Sequence, residues 1–341
     1  MNDVKISFCL PVYNVRNYLE LCIQSIGNQI LMGGGTIEVL CLDDCSTDGS
    51  YELLQTLKNN YPALKVSRNN HNSGVSFTRN QLIKSAKGKY IWFVDPDDLL
   101  YPGVVSLALR EIEEREADVL LGNYIRIQEH ENITFSPLEH LHVSYSPQID
   151  LPVDDNGIQM CAIWAGLFKR DFLLEHQLFF NEKMIAQEDT LFYFEFGLRT
   201  ANIYKFQEPC YIYRQRSTSI MHTCDSLRAQ RYYDSMREMY RVYMYHFKSN
   251  DYKEKDVLLD KLNHMKQNLV LSLAALENSK EVYNQLMKLK KDGLYPYKLT
   301  KKYISPLLPL HRKLLYYFLP IELVFWVLHI LYKIRYKTNR L

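Results

Sequence analysis

Lys89-Tyr90-Ile91-Trp92-Phe93-Val94-Asp95-Pro96-Asp97-Asp98 is the stretch on which the fold turns. Five apolar residues, aromatic or β-branched, follow one another without a polar break, which reads as a strand buried on both faces of a parallel sheet. Pro96 can neither donate to a ladder nor continue the strand, so three carboxylates sit where the backbone leaves the sheet. Ligands of open α/β sheets bind at the carboxyl ends of the strands. Clustered carboxylates repel one another, and a hard divalent cation with oxygen ligands is the usual remedy. A solvated Asp-Pro-Asp-Asp turn that merely stops the strand is the plain alternative.

The chain before this stretch repeats the pattern. Lys5-Ile6-Ser7-Phe8-Cys9-Leu10 reads as a first buried strand, closed by Pro11-Val12-Tyr13-Asn14. Tyr18, Leu19, Cys22, Ile23, Ile26 and Ile30 recur at helical spacing, and three glycines end that helix. Thr36-Ile37-Glu38-Val39-Leu40-Cys41-Leu42 forms a second strand that also ends in paired acids, Asp43-Asp44. A helix with Leu54 and Leu57 on its apolar side follows, then a short strand, Leu64-Lys65-Val66-Ser67. A further helix over residues 75–86 ends near Gly88, placed as a C′ glycine. This βαβαβαβ order predicts a mostly parallel sheet with right-handed crossovers. Val105, Leu109 and Ile112 continue the alternation after Pro102, and residues 117–127 read as another strand.

With 341 residues, one large domain and an appendage are expected. The hydrophobic fraction of 47% is ample for a core, and a net charge of only +2 argues against nucleic acid as a partner. The seven cysteines show neither a CxxC pair nor zinc spacing, which favours a reducing compartment. The N-terminal residues read as strand and turn rather than as a signal peptide, so the working part is expected in the cytoplasm. No GxGxxG follows the first strand and no GxxxxGK[ST] or GxSxG occurs, against dehydrogenases, P-loop NTPases and α/β-hydrolases.

Pro11-Val12-Tyr13-Asn14, Asp43-Asp44-Cys45-Ser46-Thr47-Asp48-Gly49-Ser50, Asn72-Ser73-Gly74, Thr78-Arg79-Asn80 and Asp95-Pro96-Asp97-Asp98 resemble, in this order, the successive motifs of the family 2 glycosyltransferases. The resemblance covers about residues 4–222. It implies the GT-A fold, a Rossmann-like sheet with helices on both faces, and an inverting enzyme of bacterial surface-polysaccharide type. It implies that Tyr13, beside Pro11, stacks on the nucleotide base, that Asp44 hydrogen-bonds the base and that Arg79 lies against the nucleotide. Asp95 would contact the donor's ribose or sugar, and Asp97 would hold Mn²⁺ or Mg²⁺ on the diphosphate. Pro96 stands where a small residue is commoner in the family.

Ile163-Trp164-Ala165-Gly166 resembles the family segment in which a Trp lines the acceptor pocket; a core position for Trp164 is the alternative. Ala186-Gln187-Glu188-Asp189 opens a helix, where acids also serve as caps and dipole partners. The resemblance makes Asp189 the general base, with Glu188 orienting it or meeting the acceptor. Residues 211–222 match the family's closing strand and loop, whose Arg216 and His222 would fold over the diphosphate; a plain surface loop is the alternative. The donor is expected to be a nucleotide-sugar, with UDP as the family's commonest nucleotide.

After His222 the pattern becomes helical. Tyr232, Met236, Met239, Tyr240, Tyr243 and Phe247 share one face, and Leu258, Leu262, Met265, Leu269 and Leu273 another. Residues 301–341 hold eight Lys or Arg against one acid, Glu322, which leaves −5 for the rest. Residues 314–332 are long enough to span a bilayer, yet Pro320, Glu322 and His329 interrupt them and basic residues flank both ends. An in-plane or re-entrant anchor on the cytoplasmic leaflet is therefore favoured over a span, with a tail helix docked on protein as the alternative. The expected organisation is a GT-A catalytic domain over residues 1–222, a helical extension over 223–300 and a membrane-associating tail over 301–341. The protein would sit at the inner face of the cell membrane, peripheral or monotopic, with a glycan or polyprenyl-diphosphate-linked acceptor. A sugar nucleotidyltransferase is the rival enzyme, but Pro11-Val12-Tyr13-Asn14 is no Gly-rich phosphate loop. An inactive membrane-docked partner is the non-enzymatic rival, against which the intact Asp95, Asp97 and Asp189 speak.

Overall fold

A computed structural model describes residues 4–29, 36–128, 162–200, 202–215, 226–249, 255–296 and 322–338. The chain divides into two compact units, Met1–Glu182 with Glu188–Ser219, and Lys183–Gln187 with Ile220–Leu341.

The first unit is built on a sheet. β1 (Val4–Val12), β2 (Thr36–Asp43), β3 (Leu64–Arg68) and β4 (Tyr90–Phe93) run parallel, β1 lying between β2 and β4. All four residues of β4 are buried, as a strand covered on both faces requires. The crossovers are α1 (Arg16–Gly27), α2 (Ser50–Leu57) and α3 (Val75–Ser85). α1 buries Leu19, Cys22, Ile23 and Ile26, one stripe at helical spacing. At the amino ends of the strands, buried Glu38 accepts from Ser7 Oγ (2.6 Å), Lys65 Nζ (2.5 Å) and Lys87 N (2.7 Å). Hydrogen bonds from Lys65 and Ser7 outweigh the burial that opposes its charge, and its carboxyl lies below the usual range. Gly88 is required here, because a Cβ on it would stand 2.5 Å from Ser7 N.

Beyond β4 the parallel alternation stops. β5 (Leu99–Leu100), α4 (Val104–Glu114), β6 (Val119–Gln128), β7 (Gly166–Lys169), α5 (Arg170–Glu175), α6 (Glu188–Gly197) and β8 (Ile203–Gln215) follow. The sheet order is β3-β2-β1-β4-β7-β6-β8-β5. β7 inserts between β4 and β6 and is antiparallel to both, and β5 is antiparallel to β8. The strand expected at residues 117–127 is present, but it is not β4's neighbour. Gly122 lies on β6 where a Cβ would strike Cys210 Sγ and stand 2.9 Å from its Cβ, so the β6–β8 pair closes only over a glycine.

The second unit is helical: α7 (Ser226–Ser249), α8 (Lys255–Ala274), α9 (Ser279–Lys291) and α10 (Glu322–Thr338). α7 buries Tyr233, Met236, Met239 and Tyr243, so its packing face is turned one residue from the expected one at Tyr232. α8 buries Leu262, Met265, Leu269 and Leu273. α10 is fixed within this unit by buried Phe325 and His329. His329 Nε2 lies 2.9 Å from Ser279 Oγ and its Nδ1 3.1 Å from Ala274 O, while Lys290 Nζ meets Glu322 at 2.6 Å. Among the described residues no helix is long and apolar enough to cross a membrane. Residues 314–321 of the expected anchor lie outside the described residues.

Candidate active site

The ends of β1, β2 and β4 meet α3 and α6 at one rim. After β4 the chain turns through Asp95, Asp97 and Asp98, with Asp98 N donating to Asp95 O at 3.0 Å. β8 fixes this turn from the far side of the sheet: Asp95 N donates to Tyr211 Oη (2.9 Å), Arg214 N to Asp98 Oδ1 (2.8 Å) and Arg214 Nε to Asp97 O (3.2 Å). Asp98 is fully buried, and its carboxyl is pushed well up, first by burial and then by Asp97 and Asp95. Its work is structural. Asp97 and Asp95 are only partly buried.

Arg79, on α3, is 4% exposed and joins three carboxylates. Its Nη2 reaches Asp95 Oδ1 at 3.1 Å, and its Nη1 reaches Glu188 Oε1 at 2.9 Å and Asp189 Oδ1 at 2.7 Å. Glu188 and Asp189 open α6, as expected. The other oxygen of Asp189 accepts from Ile163 N at 3.0 Å. Burial pushes the Asp189 carboxyl up to about 7; Arg79 opposes this, and Glu188 and Asp95 add to it. A carboxylate half-ionised near neutrality suits a general base.

The Ile163–Ala165 turn that Asp189 holds carries Trp164, which is 7% exposed. Its ring stacks on Tyr211 (4.3 Å between centroids, 11° between planes) and on Tyr213, and its carbonyl accepts from Trp92 Nε1 at 2.9 Å. Trp164 is thus a core-packed residue at the rim of the site. The contacts close a ring: Asp189 to Ile163 and Trp164, Trp164 to Tyr211, Tyr211 to Asp95, and Asp95 through Arg79 back to Asp189.

The expected nucleotide side is divided between exposure and scaffolding. Pro11 is buried within β1, opposite Leu42, and Tyr13 just beyond it is 47% exposed. Asp44 is buried and already accepts three hydrogen bonds, each 2.8 Å, from Asn69 Nδ2, Ser73 N and Gly74 N. Its carboxylate anchors the Ser73-Gly74 backbone just before α3, where Gly74 takes φ 89°, and keeps about one acceptor position in reserve. Asp43 pairs with Arg68 (3.1 Å), and Asp48 and Ser46 bind the backbone of Arg16 and Asn14. Much of the motif over residues 43–50 therefore fixes the loop that presents Tyr13. Arg216 and His222 lie outside the described residues.

Sequence reasoning did not single out Tyr211, Arg214, Arg68 or Asn69. The first two lie within the segment over residues 211–222, but nothing local marks their reach across more than a hundred residues.

No group of three His, Cys, Asp or Glu side chains converges on a cation position among the described residues. The donor set fits a cation of another kind. Mg²⁺-like ions are held by one or two carboxylates together with substrate phosphates. Asp97, half-buried in the turn after β4, is the carboxylate that would serve such an ion.

The pattern of Glycosyl transferase family 2 matches residues 7–176. "Glycosyltransferase GlyG" of Streptococcus pneumoniae is 28% identical over 64% of this chain and 73% of its own length. The "Poly(ribitol-phosphate) beta-glucosyltransferase" of Bacillus spizizenii is 33% identical over 55% of this chain, but the match spans only 29% of that relative. The crystal structure of S. aureus TarS 1-349 in complex with UDP-GlcNAc superposes with a TM-score of 0.54 at 19% identity, covering 87% of this chain and 95% of the other. At that identity the likeness is one of fold.

Proposed function

The chain belongs to the family 2 glycosyltransferases, and from that premise we propose that it moves a sugar, with inversion, from a UDP-sugar to a glycan or lipid-linked glycan acceptor. The observation that carries the reading is the Asp189–Arg79–Asp95 bridge, which sets a carboxylate of near-neutral pKa beside the acid turn. The UDP-GlcNAc bound to a protein of the same fold supports the choice of donor. The exposed Tyr13 ring takes the base and Asp44 gives it the last acceptor position, while Asp95 meets the ribose or sugar. A divalent cation held by Asp97 would supply positive charge against the departing diphosphate. Asp189 accepts the acceptor hydroxyl proton as the new C–O bond forms and the bond to the diphosphate breaks. Glu188 keeps the base oriented, and Trp164 stiffens the acceptor side. Arg216 and His222, outside the described residues, are the candidates to meet the diphosphate. Residues 1–222 form the catalytic region, with 223–300 as a helical extension.

Calorimetric titration with UDP, with and without Mn²⁺, followed by transfer from UDP-sugars to lipid-linked acceptors, tests this. Asp97→Ala should abolish transfer; unchanged turnover removes the cation from the reading, and absence of any nucleotide binding removes the reading itself.

The tail supports a second part of the proposal: residues 301–341 hold the enzyme on an anionic, cytoplasmic bilayer surface. α10 turns Phe325 and His329 inward and leaves Leu323, Val327, Ile330 and Leu331 exposed, at i, i+4, i+7 and i+8. The surrounding tail is basic by seven charges, so apolar insertion and attraction to anionic lipid act together. Vesicles containing phosphatidylglycerol should float with the protein at low salt. Leu323→Glu with Ile330→Glu should abolish flotation, and a shift to dimers without flotation would assign the face to a second copy instead.

A further inference from the structure

We propose that Arg79 is the positioning residue that locks the base Asp189 to the donor-contacting Asp95, so that one guanidinium fixes the span between the two ends of the reaction. This rests on the reading of Asp189 and Asp95 given above and departs from it for Arg79, which the resemblance lays against the nucleotide.

Three observations carry it. First, both Nη groups of the guanidinium are engaged by carboxylates, Nη1 shared between Glu188 and Asp189 and Nη2 on Asp95, with the side chain 4% exposed and only Nε left as a buried donor without a partner among the described residues. A planar fork can reach carboxylates on two sides at once, which an ammonium cannot do in the same geometry. Second, the fork is held from behind. It lies over the Phe180 ring, 5.2 Å from the centroid, and Asn80, the next residue on α3, clamps the Phe180 backbone by two hydrogen bonds of 2.9 and 2.8 Å. Third, among the described residues the arrangement is under-neutralised, one cation serving three acids.

Among the described residues, the groups that face Asp189 are Arg79 from α3, Glu188 from α6, Asp95 from the turn after β4 and the Ile163 N–H. Arg79 is the one cation among them, so it both aims the base and keeps it ionised. Without it the base would drift from the acceptor hydroxyl and hold its proton to higher pH. Misplacement of about 1 Å can cost roughly a hundredfold in rate.

The test compares Arg79→Lys and Arg79→Gln with the parent enzyme, by the pH dependence of turnover and by the Kd of UDP. Both variants should lose about a hundredfold in kcat while UDP affinity stays within about threefold. The acid limb of the profile should move upward in Arg79→Gln by about one to three pH units and less in Arg79→Lys, which keeps the charge. A UDP affinity that collapses while the limb stays still makes Arg79 a nucleotide contact and overturns the proposal. Should Arg79→Gln not fold, Arg79→Lys decides alone: kcat lost with UDP binding kept supports the lock, and the reverse sinks it. Asp189→Asn keeps the two readings apart. If that variant still turns over, Asp189 is not the base, whatever Arg79 does; if it is dead and the Arg79 variants keep their limb, only the lock fails.

Discussion

Replacing Asp44 by alanine separates two roles for this carboxylate, anchor of the turn before α3 and nucleotide contact. The side chain accepts three hydrogen bonds of 2.8 Å, two of them from the backbone N–H groups of Ser73 and Gly74 just before α3 and one from Asn69. A hydrogen bond to a charged group contributes about 1.5–3 kcal/mol when fully buried. Ser73, Gly74 and Asn69 are half-buried, so water reaches their freed donors and lowers that figure. A carboxylate beside a helix amino end contributes about 0.3–1 kcal/mol more through the helix dipole. Together these give a loss of about 2–4 kcal/mol for Asp44→Ala. Asp44→Asn keeps the shape and one oxygen; its amide then meets the Gly74 N–H, a single lost bond costing about 1–3 kcal/mol. Urea unfolding followed by tryptophan fluorescence reads this well, because Trp92 and Trp164 report on the catalytic unit. A parallel titration with UDP reads the site. If Asp44→Ala unfolds within about 0.5 kcal/mol of the parent, the anchoring argument is refuted. Loss of UDP binding at unchanged stability would make Asp44 a nucleotide contact and nothing more.

Asp189→Asn should lower kcat by about 10²–10⁴-fold with folding intact by circular dichroism. The parent's rate should fall as pH drops below about 7, because the base then takes up a proton in the free enzyme. A flat profile from pH 6 to 8 would exclude Asp189 as the titrating group. Gly122→Ala should destabilise by about 1–3 kcal/mol, read as a lower urea midpoint, because its Cβ must displace Cys210; a neutral effect would mean that β6 and β8 separate freely. Glu38 has a lowered folded-state pKa, so its contribution is complete above the ordinary glutamate range and fades as pH falls through the lowered value. The stability gap between the parent and Glu38→Gln should therefore shrink on acidification, and a gap that widened would reverse the assignment.

The parallel half of the fold was legible because its signal is local. Uninterrupted apolar runs at β1, β2 and β4 and helical stripes such as Leu19, Cys22, Ile23 and Ile26 need no distant partner to be recognised. The insertion of β7 between β4 and β6 was not, since four residues, Gly166–Lys169, carry no mark of strand direction. The same holds for the site. Asp95, Asp97, Glu188 and Asp189 stand out by charge at element ends, whereas the Arg79 bridge joins residues 109 and 110 positions apart. Asp44 shows the opposite limit: its identity was conspicuous, yet how many of its acceptor positions were already taken could be seen only in three dimensions.

The hold of β8 on the acid turn bears on how the protein is made. Asp95 and Asp98 take hydrogen bonds from or to residues 116 positions later, Tyr211 and Arg214. A ribosome adding about 5–20 residues per second therefore releases β1 to β4 several seconds before the strand that sets their most important turn. Through that interval the paired strands can form, but the guanidinium of Arg79 has neither Glu188 nor Asp189 and must stay hydrated. The nascent chain thus passes through a stage with half of its sheet strands and no assembled site, and a message truncated before codon 211 should yield protein that binds chaperones rather than substrate.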